Sequence, residues 1–74
     1  MKRYTGENIE LRRKQLKITQ DELCIKVLIS KSRYYKCIKN NNFTLNEIDL
    51  IAKVLKVPPC NLVYSRLSFE SPFN

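Results

Sequence analysis

Apolar residues recur along this chain at helical spacing, in five blocks separated by turn signals. In the first block, about Gly6 to Lys17, Ile9 and Leu16 lie one heptad apart on one face. Glu7 and Glu10 stand in its first turn and Arg13, Lys14 and Lys17 in its last, the polarity a helix dipole favours. The second block opens on Thr19-Gln20-Asp21-Glu22, a capping box in which a hydroxyl and a carboxylate satisfy free backbone amides reciprocally. Leu23 and Val27 follow at i, i+4, and this helix is predicted to end near Leu28. Ser30 is a good N-cap for a third helix, Lys31 to Asn40, with Tyr34, Cys37 and Ile38 as its apolar stripe. Asn40, Asn41 and Asn42 close it, asparagine being the residue best suited after glycine to a left-handed cap.

Thr44-Leu45-Asn46-Glu47 forms a second capping box. Ile48, Ile51, Ala52 and Leu55 then repeat at i, i+3, i+4 and i+7, the strongest periodicity in the chain. Val57-Pro58-Pro59-Cys60 stops this helix and starts a short fifth one, since proline suits a first turn; Leu62 and Val63 are its anchors. The only glycine is Gly6, too few for a fold built on hairpins. The pattern predicts one all-α domain over residues 1–66, followed by a C-terminal tail, 67–74, that carries Leu67, Phe69 and Phe73.

Composition narrows the chemistry. Lys and Arg total 14 against 7 acids, a net charge of +7, and the whole excess falls in residues 1–40. A one-sided basic field is the footprint of a polyanion binder. Cys24, Cys37 and Cys60 lie far apart with no histidine to complete a metal site, so they are expected to be reduced thiols, at least two of them packed as small apolar residues, with no metal and no cofactor. No apolar run approaches a membrane span, and no apolar leader follows the basic N-terminus, so the chain is expected to work in the cytoplasm. Without histidine or a glycine-rich phosphate loop, and with its acids scattered, it offers no catalytic constellation and no site for a small-molecule substrate.

The second and third blocks define a layout. A helix, a three-residue connection (Leu28, Ile29, Ser30) and a helix opening on Lys31, Ser32 and Arg33 form a helix-turn-helix, in which the second helix enters the major groove by its N-terminal end. Lys31, Arg33, Lys36 and Lys39 then form a groove-facing basic surface, with lysine and arginine suited to guanine N7 and O6. Tyr34 falls on the apolar stripe, whereas Tyr35 points away from it and can offer its hydroxyl to a phosphate or its ring to a thymine methyl. Arg12, Arg13 and Lys14 are read as a source of long-range attraction, with one of them a candidate for phosphate contact.

From Gly6 to Leu62 the chain resembles the phage repressor and Cro class of helix-turn-helix proteins, the xenobiotic-response-element family. The resemblance rests on Gly6, Ile9 and Arg13 in helix one, Ile18-Thr19-Gln20 before Leu23, Ile29-Ser30 in the turn, Thr44-Leu45, and Ile51-Ala52-Lys53-Val54-Leu55-Lys56-Val57. It implies a compact five-helix lambda-repressor-like DNA-binding domain acting on double-stranded DNA as a transcription regulator, most simply a repressor. By the same resemblance Gln20 contacts a phosphate and braces the recognition helix. Lys31, Ser32 and Lys36 reach base edges, and Arg33 reaches bases or the backbone. Asn40, Asn41 and Asn42 match a loop laid against phosphates; apart from the resemblance, the positions of Tyr35 and Lys39 off the apolar stripe make them candidates for further backbone contacts. Leu23, Val27, Ile29, Tyr34 and Cys37 match core positions, and Cys24 a small residue where the two helices touch.

The resemblance has departures. The family often has glycine where Lys17, Leu28 and Lys56 stand, and a left-handed turn costs about 1 kcal/mol or more at a non-glycine residue, so the turn at Leu28 is expected to differ in geometry. The family also often pairs Arg13 with a glutamate at the position of Ile38, which leaves Arg13 to turn outward or to stack on Tyr34. Leu62, Val63, Tyr64, Leu67, Phe69 and Phe73 are candidates for a homodimer surface or, alternatively, a cap on the single small core. A second class of function stays open: an antitoxin, antirepressor or inhibitor whose basic helix meets an acidic protein partner.

Overall fold

The structure, a computed structural model, describes residues 4–63. Five helices follow one another: α1 (Thr5–Gln15), α2 (Gln20–Val27), α3 (Lys31–Asn40), α4 (Leu45–Leu55) and α5 (Pro59–Val63). The first ends two residues earlier than the charge pattern predicts, because Lys17 turns left-handed. The helices enclose one core: Ile9 from α1, Leu23 and Val27 from α2, Tyr34 and Cys37 from α3, Ile48, Ile51 and Leu55 from α4, and Leu62 from α5. Each such side chain stabilises by roughly 1.5–3 kcal/mol through burial. Helix α1 packs on α3, α4 and α5, while α2 packs on α3 and α4, so the α2–α3 pair is held from behind by the rest of the chain.

Both capping boxes form as expected. The hydroxyls of Thr19 and Thr44 accept the backbone N–H of Glu22 and Glu47, and each glutamate returns a bond to the threonine N–H. Ser30 Oγ accepts the N–H of Arg33 at 3.2 Å and starts α3.

The expectation that the turn at Leu28 would change geometry is corrected. Lys17, Leu28 and Lys56 all adopt the left-handed conformation, with φ of 58°, 57° and 60°. Each is followed by an apolar residue whose N–H reaches back five positions: Ile18 to Arg13 O (3.1 Å), Ile29 to Cys24 O (3.0 Å) and Val57 to Ala52 O (3.1 Å). This is the Schellman arrangement, and in each case the apolar residue packs onto the core. One hydrogen bond and one buried side chain outweigh the strain of about 1–2 kcal/mol at the preceding residue. Leu28 itself is 91% exposed, so its side chain contributes almost no burial. Leu28→Gly is therefore expected to raise stability by about 0.5–1 kcal/mol after glycine's unfolded-state entropy is subtracted, read as a higher melting temperature.

Helix α1 also closes the ends of its neighbours with side chains. Asn8, 1% exposed, donates Nδ2 to Leu62 O (2.9 Å) and Asn61 O (3.3 Å) at the end of α5. Arg12 donates Nε to Leu55 O (3.0 Å) at the end of α4, where its charge also suits the helix dipole. At the end of α3, Asn41 turns left-handed and its Oδ1 accepts the Gly6 N–H at 2.7 Å. A Cβ at Gly6 would land on the carbonyl group of Ile38, which is backbone and cannot swing aside. Gly6→Ala is expected to cost about 1–3 kcal/mol by pushing α1 off α3, measured as a lower denaturant midpoint with unchanged helicity.

Candidate nucleic-acid interface

Helix α3 carries four cations and no acid. With 3.6 residues per turn, Ser32, Lys36 and Lys39 repeat at i, i+4 and i+7 on the side opposite the buried Tyr34 and Cys37. All three are exposed, and neither lysine has an ion pair among the described residues. This strip is the outermost line of the helix.

The two cations on its flanks are tied to neighbouring helices. Lys31 Nζ lies 2.8 Å from Asp21 Oδ1 of α2 and 5.9 Å from the centre of the Tyr35 ring, and the hydrogen bond to Asp21 raises its pKa. Arg33 donates Nε (2.6 Å) and Nη2 (2.7 Å) to the two carboxylate oxygens of Glu47 in α4. Those donors, against a smaller opposing effect of burial, lower the Glu47 carboxyl to about 2. Helix α3 is thus stayed on one side by α2 and on the other by α4. Tyr35 is exposed, and its ring meets that of Tyr34 in a T-shaped contact with centroids 6.2 Å apart.

Behind the helix lies a polar junction that the sequence reading did not find. Glu10 of α1 accepts four hydrogen bonds: Arg13 Nε (3.0 Å) and Nη2 (2.8 Å), Gln20 Nε2 (2.9 Å) and the Tyr34 hydroxyl (2.6 Å). Burial alone would raise its pKa, but the donors from Arg13, Tyr34 and Gln20 outweigh it and hold the carboxyl at about 2. The Tyr34 phenol is pushed up by burial first and by its bond to Glu10 second. One carboxylate therefore joins α1, α2 and α3.

Several expectations change accordingly. Arg13 neither turns outward nor stacks on Tyr34; it is 9% exposed, and Glu10 replaces the partner missing at Ile38. Arg12 is buried as well, so of the three basic residues near the end of α1 only Lys14 is exposed. Gln20 opens α2, but its amide is directed to Glu10. Asn41 spends its side-chain oxygen on Gly6, while Asn40 and Asn42 remain exposed. Leu62 is fully buried and Val63 nearly so, because α5 lays both against the core; they do not form a dimer surface. Tyr64, Leu67, Phe69 and Phe73, and the tail boundary at 67, lie outside the described residues. All three cysteines are free; Cys24 and Cys37 are packed inside and Cys60 is exposed.

A capped helix pair with a basic outer helix, held from behind by three others, is an arrangement for docking on a duplex. A family model described as helix-turn-helix matches residues 9–62. The chain belongs to the Cro-type helix-turn-helix family. This helix-turn-helix protein is therefore a DNA-binding regulator in general character, from a family that is generally without catalytic activity. No curated protein and no solved structure is significantly similar to it. Among its described residues no helix is long and apolar enough to cross a membrane.

Proposed function

We propose that this protein is a sequence-specific transcription repressor of phage or mobile-element type, working in the cytoplasm, and that it inserts α3 into the major groove. The observation that carries the reading is the strip of Ser32, Lys36 and Lys39, exposed and without an ion pair among the described residues, on a helix with no acid. In this reading Ser32 and Arg33 face base edges, Lys31 lies on the other flank, and Lys36 stands on the outer line within reach of bases and of the phosphates that border them. Lys39, Tyr35, Asn40 and Asn42 face phosphates, and Gln20 and Asn41 act mainly by holding the frame. A single module of this kind buries about 600–1,000 Å² of protein surface, which favours binding as a homodimer on a two-fold site. The test is selection from duplexes with a randomised centre, followed by a salt titration of the winner. Enrichment of one sequence with an affinity that falls steeply with salt is expected; binding that does not discriminate the winner from scrambled DNA would remove the reading.

A second reading has one observation in its favour. Ile25 and Leu28, 73% and 91% exposed, flank a shallow apolar hollow with Cys24 and Ile29, bordered by the Lys31–Asp21 ion pair at the head of the basic α3. Such a surface suits an acidic protein partner with an apolar centre, as an antitoxin or enzyme inhibitor would need. Tight binding to a purified protein that Ile25→Ser abolishes, without any shift of DNA, would favour it.

A further inference from the structure

The Arg33–Glu47 pair bears on what the recognition helix reads. A guanidinium has five N–H donors in one plane. Glu47 occupies the side edge of Arg33, made by Nε and Nη2. The end edge, with one N–H from Nη1 and the second N–H of Nη2, has no partner among the described residues and lies on a side chain 46% exposed. Two parallel donors in that arrangement match the N7 and O6 acceptors that guanine shows in the major groove.

Glu47 is itself well held. Its Oε1 accepts the Thr44 N–H at 2.9 Å within the capping box, and its side chain is only 16% exposed. The carboxylate is thus a fixed anchor at the head of α4, and it restricts the long rotamer-rich arginine to one plane before any duplex arrives. An arginine already neutralised in this way has little net charge to give a phosphate, so it contributes less to counterion release than the unpaired Lys36 and Lys39.

We infer that Arg33, held by Glu47, reads a guanine in the bound duplex, and that Glu47 is the positioning residue for that specificity. The inference rests on the DNA-binding reading above. It separates two tasks on one helix: Lys36 and Lys39 supply salt-dependent affinity, and the Arg33–Glu47 pair supplies preference at one base pair.

Glu47→Gln tests it directly. The amide keeps one acceptor oxygen for the capping box, but its uncharged NH2 then meets Arg33 Nε in place of Oε2, so the cap survives while the charged two-point clamp is broken. The probe is the duplex selected from the randomised pool, with every position changed in turn to the other three base pairs. Wild type is expected to prefer one guanine by about tenfold or more and to lose about tenfold when 7-deazaguanine replaces it. Glu47→Gln is expected to bind that duplex and its three variants at the guanine position within about threefold of one another, with a salt dependence no shallower than wild type. Arg33→Lys, which keeps the charge and removes the fork, should flatten the same position and guards against a folding defect in the first variant. Unchanged guanine preference in either folded variant, or a loss that is equal for all base pairs, would overturn the inference while leaving DNA recognition intact. Failure of wild type to select any duplex would instead overturn the DNA-binding reading, and the inference with it.

Discussion

Replacing Lys36 and Lys39 together by alanine is expected to weaken DNA binding by about 20- to 40-fold near physiological salt and to reduce the slope of log affinity against log salt by about 2. Both are exposed cations on the outer line of α3, and neither is ion-paired among the described residues. Each phosphate neutralised by such a lysine releases close to one counterion, which sets the slope. Neither side chain supports the fold, so the far-ultraviolet spectrum and the melting temperature should stay at wild-type values. Lys31→Ala should change the slope by less, because Asp21, 2.8 Å from its ammonium, already neutralises it. Binding of the double variant with an unchanged salt slope would show that α3 does not lie along the phosphates.

Much of this molecule is legible from local chemistry. The two threonine boxes, the serine cap and the i, i+3, i+4, i+7 run of α4 need only neighbours in sequence, and all four appear where the pattern places them. The apolar face of α3 also makes the exposure of Lys31, Arg33, Lys36 and Lys39 legible, but not the ion pairs that tie Lys31 to Asp21 and Arg33 to Glu47, whose partners lie on other helices. The left-handed turns are a case where a correct local rule is overruled. Leu28 alone is strained, but Ile29 buries and bonds back to Cys24, and a rule applied one residue at a time misses that coupling.

The polar contacts that close the helix ends are harder to read because their partners are far apart in sequence. Asn8 with Leu62, Arg12 with Leu55 and Asn41 with Gly6 each join helix ends that only the folded chain brings together. Arg12 looks like one more member of a basic cluster, yet it closes α4. Glu10 had a local signal: it stands three residues before Arg13, a spacing at which opposite charges meet on a helix. That spacing could have replaced the search for a partner at Ile38. Leu62 and Val63 were ambiguous between core and interface for a physical reason, since a five-residue helix shows too little of a turn to reveal which face is covered.

Glu10→Ala is expected to be the most destabilising surface-near change, at about 2–4 kcal/mol, out of a total of about 4–11 kcal/mol for a chain of this size. It leaves the guanidinium of Arg13, mostly buried, without its counter-ion, and strands the Tyr34 hydroxyl and the Gln20 amide. Since those three groups come from α1, α3 and α2, the angle between the two helices of the motif should loosen, and DNA affinity should fall even below the melting temperature. The pH dependence gives an independent check. The folded carboxyl titrates at about 2, below its ordinary value of 4.5, so between those limits the unfolded chain binds more protons than the folded one. Stability is then fully present above about pH 4.5 and is lost as pH falls toward about 2. With the Glu10 side chain one-fifth exposed, solvent screening reduces the contribution to about 1–2 kcal/mol. Glu47, lowered to about 2 as well, acts in the same window, so Glu10→Gln should flatten the acid limb in part and not abolish it. The measurement is the denaturant midpoint of wild type and Glu10→Gln at a series of pH values through that window. Parallel acid limbs would mean that Glu10 is not the carboxylate on which the junction of α1, α2 and α3 depends.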